Sequence, residues 1–119
     1  SLLKSRFKII HTQLNTGNWR AVGVETINTF YFLVGEISGQ GGDHIEFEKL
    51  LLKAPPSVRR ELGSDLLRLL KKFEELSFAP EAVVGSLKEK SNLKKLVAEM
   101  EALLTKAVKL GLGTQVEGE

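Results

Sequence analysis

Apolar residues recur at intervals of three and four along almost the whole chain, and this pattern most constrains the possible fold. Leu3, Phe7, Ile10 and Leu14 show the spacing at the start of the chain, and it lines one face of an α-helix. No segment alternates apolar and polar residues between turn signals, as a half-buried β-strand does. The sequence therefore predicts an all-α fold, an irregular bundle of about five or six helices arranged as helical hairpins.

Helix-capping and helix-breaking residues divide this pattern into segments. A side chain such as that of Asn18 can cap a helix by accepting from free backbone N–H groups, whereas proline ends the preceding helix. The residues with these roles are Gly17, Asn18, Asp43, Pro55, Pro56, Pro80 and Ser91. The predicted helices span about residues 2–15, 18–37, 44–53, 57–76, 80–87 and 92–110. Residues 1–110 are expected to form one helical domain and 111–119 a flexible tail.

The second predicted helix is apolar over most of its surface. Trp19, Val22, Ile27 and Phe30 follow one stripe, and a second group widens it, namely Val24, Tyr31, Phe32 and Leu33. A helix of this kind is expected at the centre of a bundle. Its most apolar window, residues 26–35, has about half the roughly 20 residues that a membrane span needs.

Composition narrows the classes of function. The chain has 119 residues, enough for one domain with a real core. It carries 17 basic and 15 acidic residues, a formal charge of +2, and this near-balance argues against a dedicated nucleic-acid binder. It contains no cysteine, which excludes disulfides and thiolate chemistry. No pattern in the sequence indicates a cofactor.

The glycine-rich stretch "SGQGGDHIEFE", residues 38–48, resembles a phosphate loop at first sight. A P-loop requires a lysine after its last glycine, and a dinucleotide loop requires a third spaced glycine. Neither is present, and Asp43 would place a negative charge where a phosphate should lie. We expect a joint between two helices, with Gly39 in a left-handed conformation and Asp43 capping the next helix.

Three ionisable residues are candidates for chemistry. Glu25 lies on the most apolar helix and could be an acid–base group in a pocket with Trp19 and Tyr31, although exposure or a pair with a basic side chain is the structural alternative. His44 is followed by acidic residues, which suggests at most a weak metal site, because zinc usually takes three or four ligands. His11 has no candidate partner nearby in the sequence. Because the chain has no cysteine and no tight Ser/His/Asp pattern, nucleophilic catalysis has no support.

The stretch "APPSVRREL", residues 54–62, is the strongest candidate for partner binding. Rigid Pro55 and Pro56 precede Arg59 and Arg60, and arginine suits recognition of carboxylates and phosphates. The alternative is an ordinary proline-started helix with solvated arginines. A second basic stretch has a solvated face as its default interpretation and weak attraction to an anionic membrane or nucleic acid as its alternative; it contains Lys88, Lys90, Lys94 and Lys95.

Three motifs together resemble one known family. The segments "GNWRAVGVETINTFYFLVGEISGQGG", "LLLKAPPSVRREL" and "LSFAPEAVVGSLKE" are similar to the C-terminal helical region of the BatD family, which are aerotolerance-associated bacterial membrane proteins. The likeness covers about residues 11–108. It consists of a tryptophan-bearing helix, a Phe-Tyr pair, a proline-started helix and a Phe-Ala-Pro turn.

The resemblance implies a function for the chain. It would be the helical domain that follows a membrane span, on the cytoplasmic face of the bacterial inner membrane, as part of a larger membrane-anchored protein. Its implied partners are MoxR-type ATPases and von Willebrand A-domain proteins. The family supplies no catalytic residues. Together with the all-helical pattern and the lack of a catalytic constellation, this predicts a non-enzymatic protein-interaction domain. The residues themselves favour docking through Pro55, Pro56, Arg59 and Arg60, with the joint at residues 39–43 as the second candidate.

Overall fold

The computed structural model describes residues 1–35 and 42–113, and the regular structure within them is entirely helical. The predicted all-α class is therefore confirmed. A 3₁₀ turn over Gly85–Lys88 lies between the last two helices. The α-helices are α1 (Leu2–Asn15), α2 (Trp19–Leu33), α3 (His44–Leu51), α4 (Pro56–Phe78), α5 (Glu81–Val84) and α6 (Lys90–Lys109).

Local capping residues begin the helices largely where the sequence indicates. The Asn18 side chain accepts from the backbone N–H of Ala21, and the Asp43 side chain accepts from that of Glu46. Each bond satisfies a donor that the first helical turn leaves without a partner. Between α1 and α2, Gly17 adopts a φ of 77°, a left-handed conformation that glycine reaches without steric penalty.

Several predicted helix boundaries differ from the structure. The second helix ends at Leu33 rather than near residue 37, because Gly35 takes a φ of 91° just beyond the cap at Val34. The predicted turn at Gly39 lies outside the described residues. The last helix begins at Lys90 and not after Ser91; its N-cap is Glu89, and no side chain makes the capping hydrogen bond.

The core forms around the contact between α2 and α4, the most extensive contact between helices in residues 1–35 and 42–113. Helix α1 packs beside α2, α3 packs on α4, and α6 covers another side of α4. The buried side chains of α2 include Phe30 and Tyr31, as its apolar pattern predicts. Val24 departs from that pattern, because 38% of it is exposed; α2 is central but is not covered on every side.

The backbones of α2 and α4 approach closely at Gly23. A Cβ added there would stand 2.9 Å from the carbonyl oxygen of Phe73 and 3.0 Å from the backbone nitrogen of Ser77, and nearer still to the Ser77 hydroxyl. Backbone atoms cannot rotate away from such a contact. The absence of a side chain at residue 23 therefore sets the separation of the two central helices.

The end of α4 and the segment after α6 make contacts that the spacing of apolar residues does not indicate. Arg20 on α2 donates to the carbonyl oxygen of Ser77 at 3.1 Å, which satisfies a free acceptor at the end of α4. After α6, Leu112 is only 3% exposed. The packed domain thus continues past residue 110, where the sequence predicted the tail to begin; residues 114–119 of that tail lie outside the described residues.

Replacement of glycine by alanine should have opposite effects at two helical positions. Gly23→Ala should lower the free energy of unfolding by about 1–3 kcal/mol, because the new methyl group meets backbone. At Gly63, inside α4, an added Cβ would meet no atom within 4 Å beyond the nearby backbone of its own helix. Gly63→Ala should therefore raise the free energy of unfolding by about 0.5–1 kcal/mol through helix propensity. Urea unfolding of the two variants measures both values, and a Gly23→Ala variant at least as stable as the unaltered chain would contradict the close approach.

Truncation of core side chains should be strongly destabilising. Phe30 and Leu66 are both 0% exposed, so Phe30→Ala and Leu66→Ala should each lower the free energy of unfolding by about 2–5 kcal/mol. Leu52→Ala is the control, because 65% of Leu52 is exposed and its truncation should change stability by less than about 0.5 kcal/mol. Chemical denaturation followed by circular dichroism tests all three.

Candidate functional site

The predicted docking residues lie where α3 ends and α4 begins. Pro56, Arg59 and Arg60 are exposed, whereas Pro55 is half-buried. The structure adds Leu52, just before them, which has 65% of its surface in solvent. We call Leu52, Pro55, Pro56, Arg59 and Arg60 the docking edge.

The docking edge is held in place by the core beneath it. Val58 is fully buried, and the Ser57 hydroxyl donates to the carbonyl oxygen of Leu110 at 3.4 Å. The ring of Pro55 lines a small pocket of about 150 Å³ together with Leu33 and Leu112. The edge is therefore a fixed surface that joins α3, α4 and the chain after α6.

The two arginines of the docking edge, Arg59 and Arg60, are not paired with an acidic side chain among the described residues. The first turn of α4 contains no acidic residue and no side-chain cap, so the partial positive charge of the helix N-terminus adds to that of the arginines. This surface can accept carboxylates beside an exposed apolar side chain.

Glu25 is paired rather than placed in a pocket. Its carboxylate accepts from the guanidinium of Arg6 on α1 at 3.0 Å. The same guanidinium donates to the Glu25 carbonyl oxygen at 3.1 Å and, through Nε, to the Thr29 hydroxyl at 3.1 Å. The structure thus supports the second interpretation of Glu25, in which it pairs with a basic side chain. This pair joins α1 to α2.

Trp19, Glu25 and Tyr31 each contact a different partner in the structure. Trp19 lies under the guanidinium of its neighbour Arg20, 4.5 Å from the ring centroid. Tyr31 is buried, and its hydroxyl donates to the carbonyl oxygen of Asp43 at the start of α3. Because Glu25 faces α1 instead, the three residues do not meet, and the hypothesis of an acid–base pocket loses its geometric basis.

Each histidine contacts a glutamate on another helix. Nε2 of His11 lies 2.8 Å from a carboxylate oxygen of Glu101, and Nδ1 of His44 lies 2.9 Å from one of Glu74. Sequence reasoning identified neither glutamate, because the partners are 90 and 30 residues away. No group of three or more metal-binding side chains occurs in the part of the chain that the structure describes.

The two remaining candidates are the glycine-rich loop and the lysine-rich stretch. Asp43 caps α3, as expected of a joint, and the residues that precede Gly42 in that loop lie outside the described residues. Lys88 in the lysine-rich stretch donates to Glu81 at 2.9 Å. Its neighbours Lys90, Lys94 and Lys95 are exposed, which fits a solvated face.

A large surface depression lies elsewhere, between α1 and α6, and sequence reasoning missed it. It has a volume of about 1070 Å³. Its apolar lining comes from Leu3, Phe7, Ala102 and Val108. Only these two helices and the capping residue Ser1 contribute to the lining, so the depression is an open groove with two walls. We call it the α1–α6 groove.

In the comparisons with known proteins, no family model matches the chain, and neither a curated protein nor a solved structure matches it. Among the described residues, no helix combines the length and the apolar character that a bilayer span requires. The docking edge and the α1–α6 groove are therefore the features from which a function can be inferred.

The buried Tyr31 gives the fold a measurable dependence on alkaline pH. Burial, and then the negative charges of Glu46, Asp43 and Glu74, raise the pKa of Tyr31 from 10.0 to about 12. A raised folded-state pKa stabilises the fold below the unfolded value, and this stabilisation is lost as pH rises from about 10 to about 12.

Tyr31 is the chain's single tyrosine, so tyrosinate absorbance follows its ionisation directly. We expect the midpoint near pH 12 in the folded protein. Tyr31→Phe should remove this part of the pH dependence of unfolding. A midpoint near pH 10 in protein that circular dichroism shows to be folded would mean that the hydroxyl is not buried.

Proposed function

We propose that this chain is a non-enzymatic protein-interaction domain that docks partner proteins through the docking edge. The observation that carries the proposal is the exposed Leu52 beside two arginines, Arg59 and Arg60, that have no acidic partner in the described residues. Arginine is enriched at interfaces, and an exposed apolar side chain adds surface that a partner can remove from water.

The edge suits a protein partner with carboxylates on its surface. A monomeric protein gains little stability from unpaired arginines at the N-terminal end of a helix, where the helix dipole disfavours positive charge. A carboxylate of a partner would relieve that repulsion and accept a bidentate hydrogen bond. The rigid support beneath the edge reduces the entropy lost when a partner binds.

The resemblance of the sequence motifs to the BatD family supplies the candidate partners. MoxR-type ATPases and von Willebrand A-domain proteins are the first to test. The same resemblance is the basis for proposing that the domain works at the cytoplasmic face of a bacterial inner membrane, within a larger membrane-anchored protein.

The test is a pulldown with the purified domain as bait in a bacterial lysate, read by mass spectrometry. We expect recovery of a MoxR-type ATPase or a von Willebrand A-domain protein. Arg59→Glu with Arg60→Glu should weaken that binding at least about tenfold, because attraction at two sites becomes repulsion. Leu52→Ala should weaken it by a smaller factor without loss of stability.

The matched control is Lys71→Glu with Lys72→Glu. These lysines are also adjacent, exposed and on α4, so the variant carries the same change in net charge away from the edge. Full binding by the control together with weak binding by the edge variant supports the proposal. If the folded edge variant binds as well as the unaltered domain, the edge is not the docking surface.

A further inference from the structure

The α1–α6 groove is separate from the docking edge and has its own composition. Its floor and walls are apolar where the two helices face each other, at Leu3, Phe7 and Val108. On α6 the small side chains of Ala102 and Thr105 leave the space open between the helices. Exposed apolar surface that is rimmed by polar residues is a common feature of binding grooves.

The length of the groove fits a helix. Its lining runs from Ser1 to Asn15 along α1, which is about 20 Å at the rise of an α-helix. Because only two helices form the walls, a third helix of about four turns could lie along them and bury one apolar face. An enclosed site for a small molecule would need walls on more sides.

The charges beside the apolar lining select the kind of helix. Lys4 and Lys8 lie one turn apart on α1, and Lys109 lies on α6. None of the three forms a salt bridge within the described residues. The one acidic side chain in the lining, Glu101, already contacts His11.

We propose that the α1–α6 groove binds an amphipathic helix of a partner protein whose apolar stripe is flanked by carboxylates. The stripe would lie against Leu3, Phe7 and Val108, and the carboxylates would meet Lys4, Lys8 and Lys109. The complementarity is of two kinds, because the apolar lining selects an amphipathic segment and the lysines select its acidic flanks. The concave shape favours this occupant over a bilayer, which binds apolar side chains that protrude.

The test uses synthetic helical peptides of about four turns with one shared apolar stripe. One carries glutamates beside the stripe, the second carries glutamines at the same positions, and the third carries lysines. We expect the acidic peptide to bind about tenfold more tightly than the glutamine peptide at low salt, since three exposed ion pairs together contribute roughly that factor. The difference should shrink at high salt. Fluorescence anisotropy of labelled peptides measures the affinities.

Variants of the domain assign the binding to the groove. Lys4→Glu with Lys8→Glu should reverse the preference, so that the lysine peptide binds best. Lys90→Glu with Lys94→Glu is the matched control, because these lysines are exposed, lie one turn apart on α6 and do not line the groove. Ala102→Trp should block the groove and abolish binding of the acidic peptide while leaving the fold intact.

Several outcomes would overturn the proposal, and each points elsewhere. Equal affinity for the acidic and glutamine peptides would remove the role of the lysines, and no binding by any peptide would remove the groove as a helix site. Binding to phosphatidylserine vesicles that Lys4→Glu with Lys8→Glu abolishes, without peptide binding, would assign the surface to membranes. None of these results bears on the docking edge.

Discussion

The close approach of α2 to α4 at Gly23 is the contact on which the rest of the structure depends. It brings the apolar faces of the two central helices together, and α1, α3 and α6 then pack around this pair. Thr26, one turn further along α2, is also buried, and its hydroxyl has no hydrogen-bond partner within the described residues. An unsatisfied buried hydroxyl reduces stability by about 1–3 kcal/mol. The packing of α2 against α4 therefore outweighs the loss of stability at Thr26.

The fold could be predicted largely because its signals are local. The caps at Asn18 and Asp43 and the proline start of α4 each act within one helical turn, and the buried faces follow a period set by helix geometry. Boundaries were missed where two local signals competed. Gly35 ends α2 before the glycines of the loop, and Leu112 is buried although it lies in a glycine-rich stretch typical of a frayed end.

The candidate sites were less predictable, because they depend on contacts between distant helices. Exposure of Arg59 and Arg60 could be anticipated from their place after two prolines. The pairing of Glu25 with Arg6 and that of His11 with Glu101 could not, since each requires the packing of α1 against another helix. The groove is a property of what α1 and α6 leave between them. Its only sequence signals are small side chains on α6 and two lysines one turn apart on α1.

Two aromatic residues on α2 allow its contacts with α4 and α3 to be followed by optical spectroscopy. The chain's single tryptophan lies at one end of α2, under the arginine that donates to the last carbonyls of α4, and its single tyrosine lies near the other end, bonded to the start of α3. Tryptophan fluorescence therefore follows release of α4 from α2, and the ultraviolet signal of the tyrosine follows release of α3. Optical spectra of the unlabelled protein can thus distinguish partial opening at one end of the helix from cooperative unfolding of the whole domain.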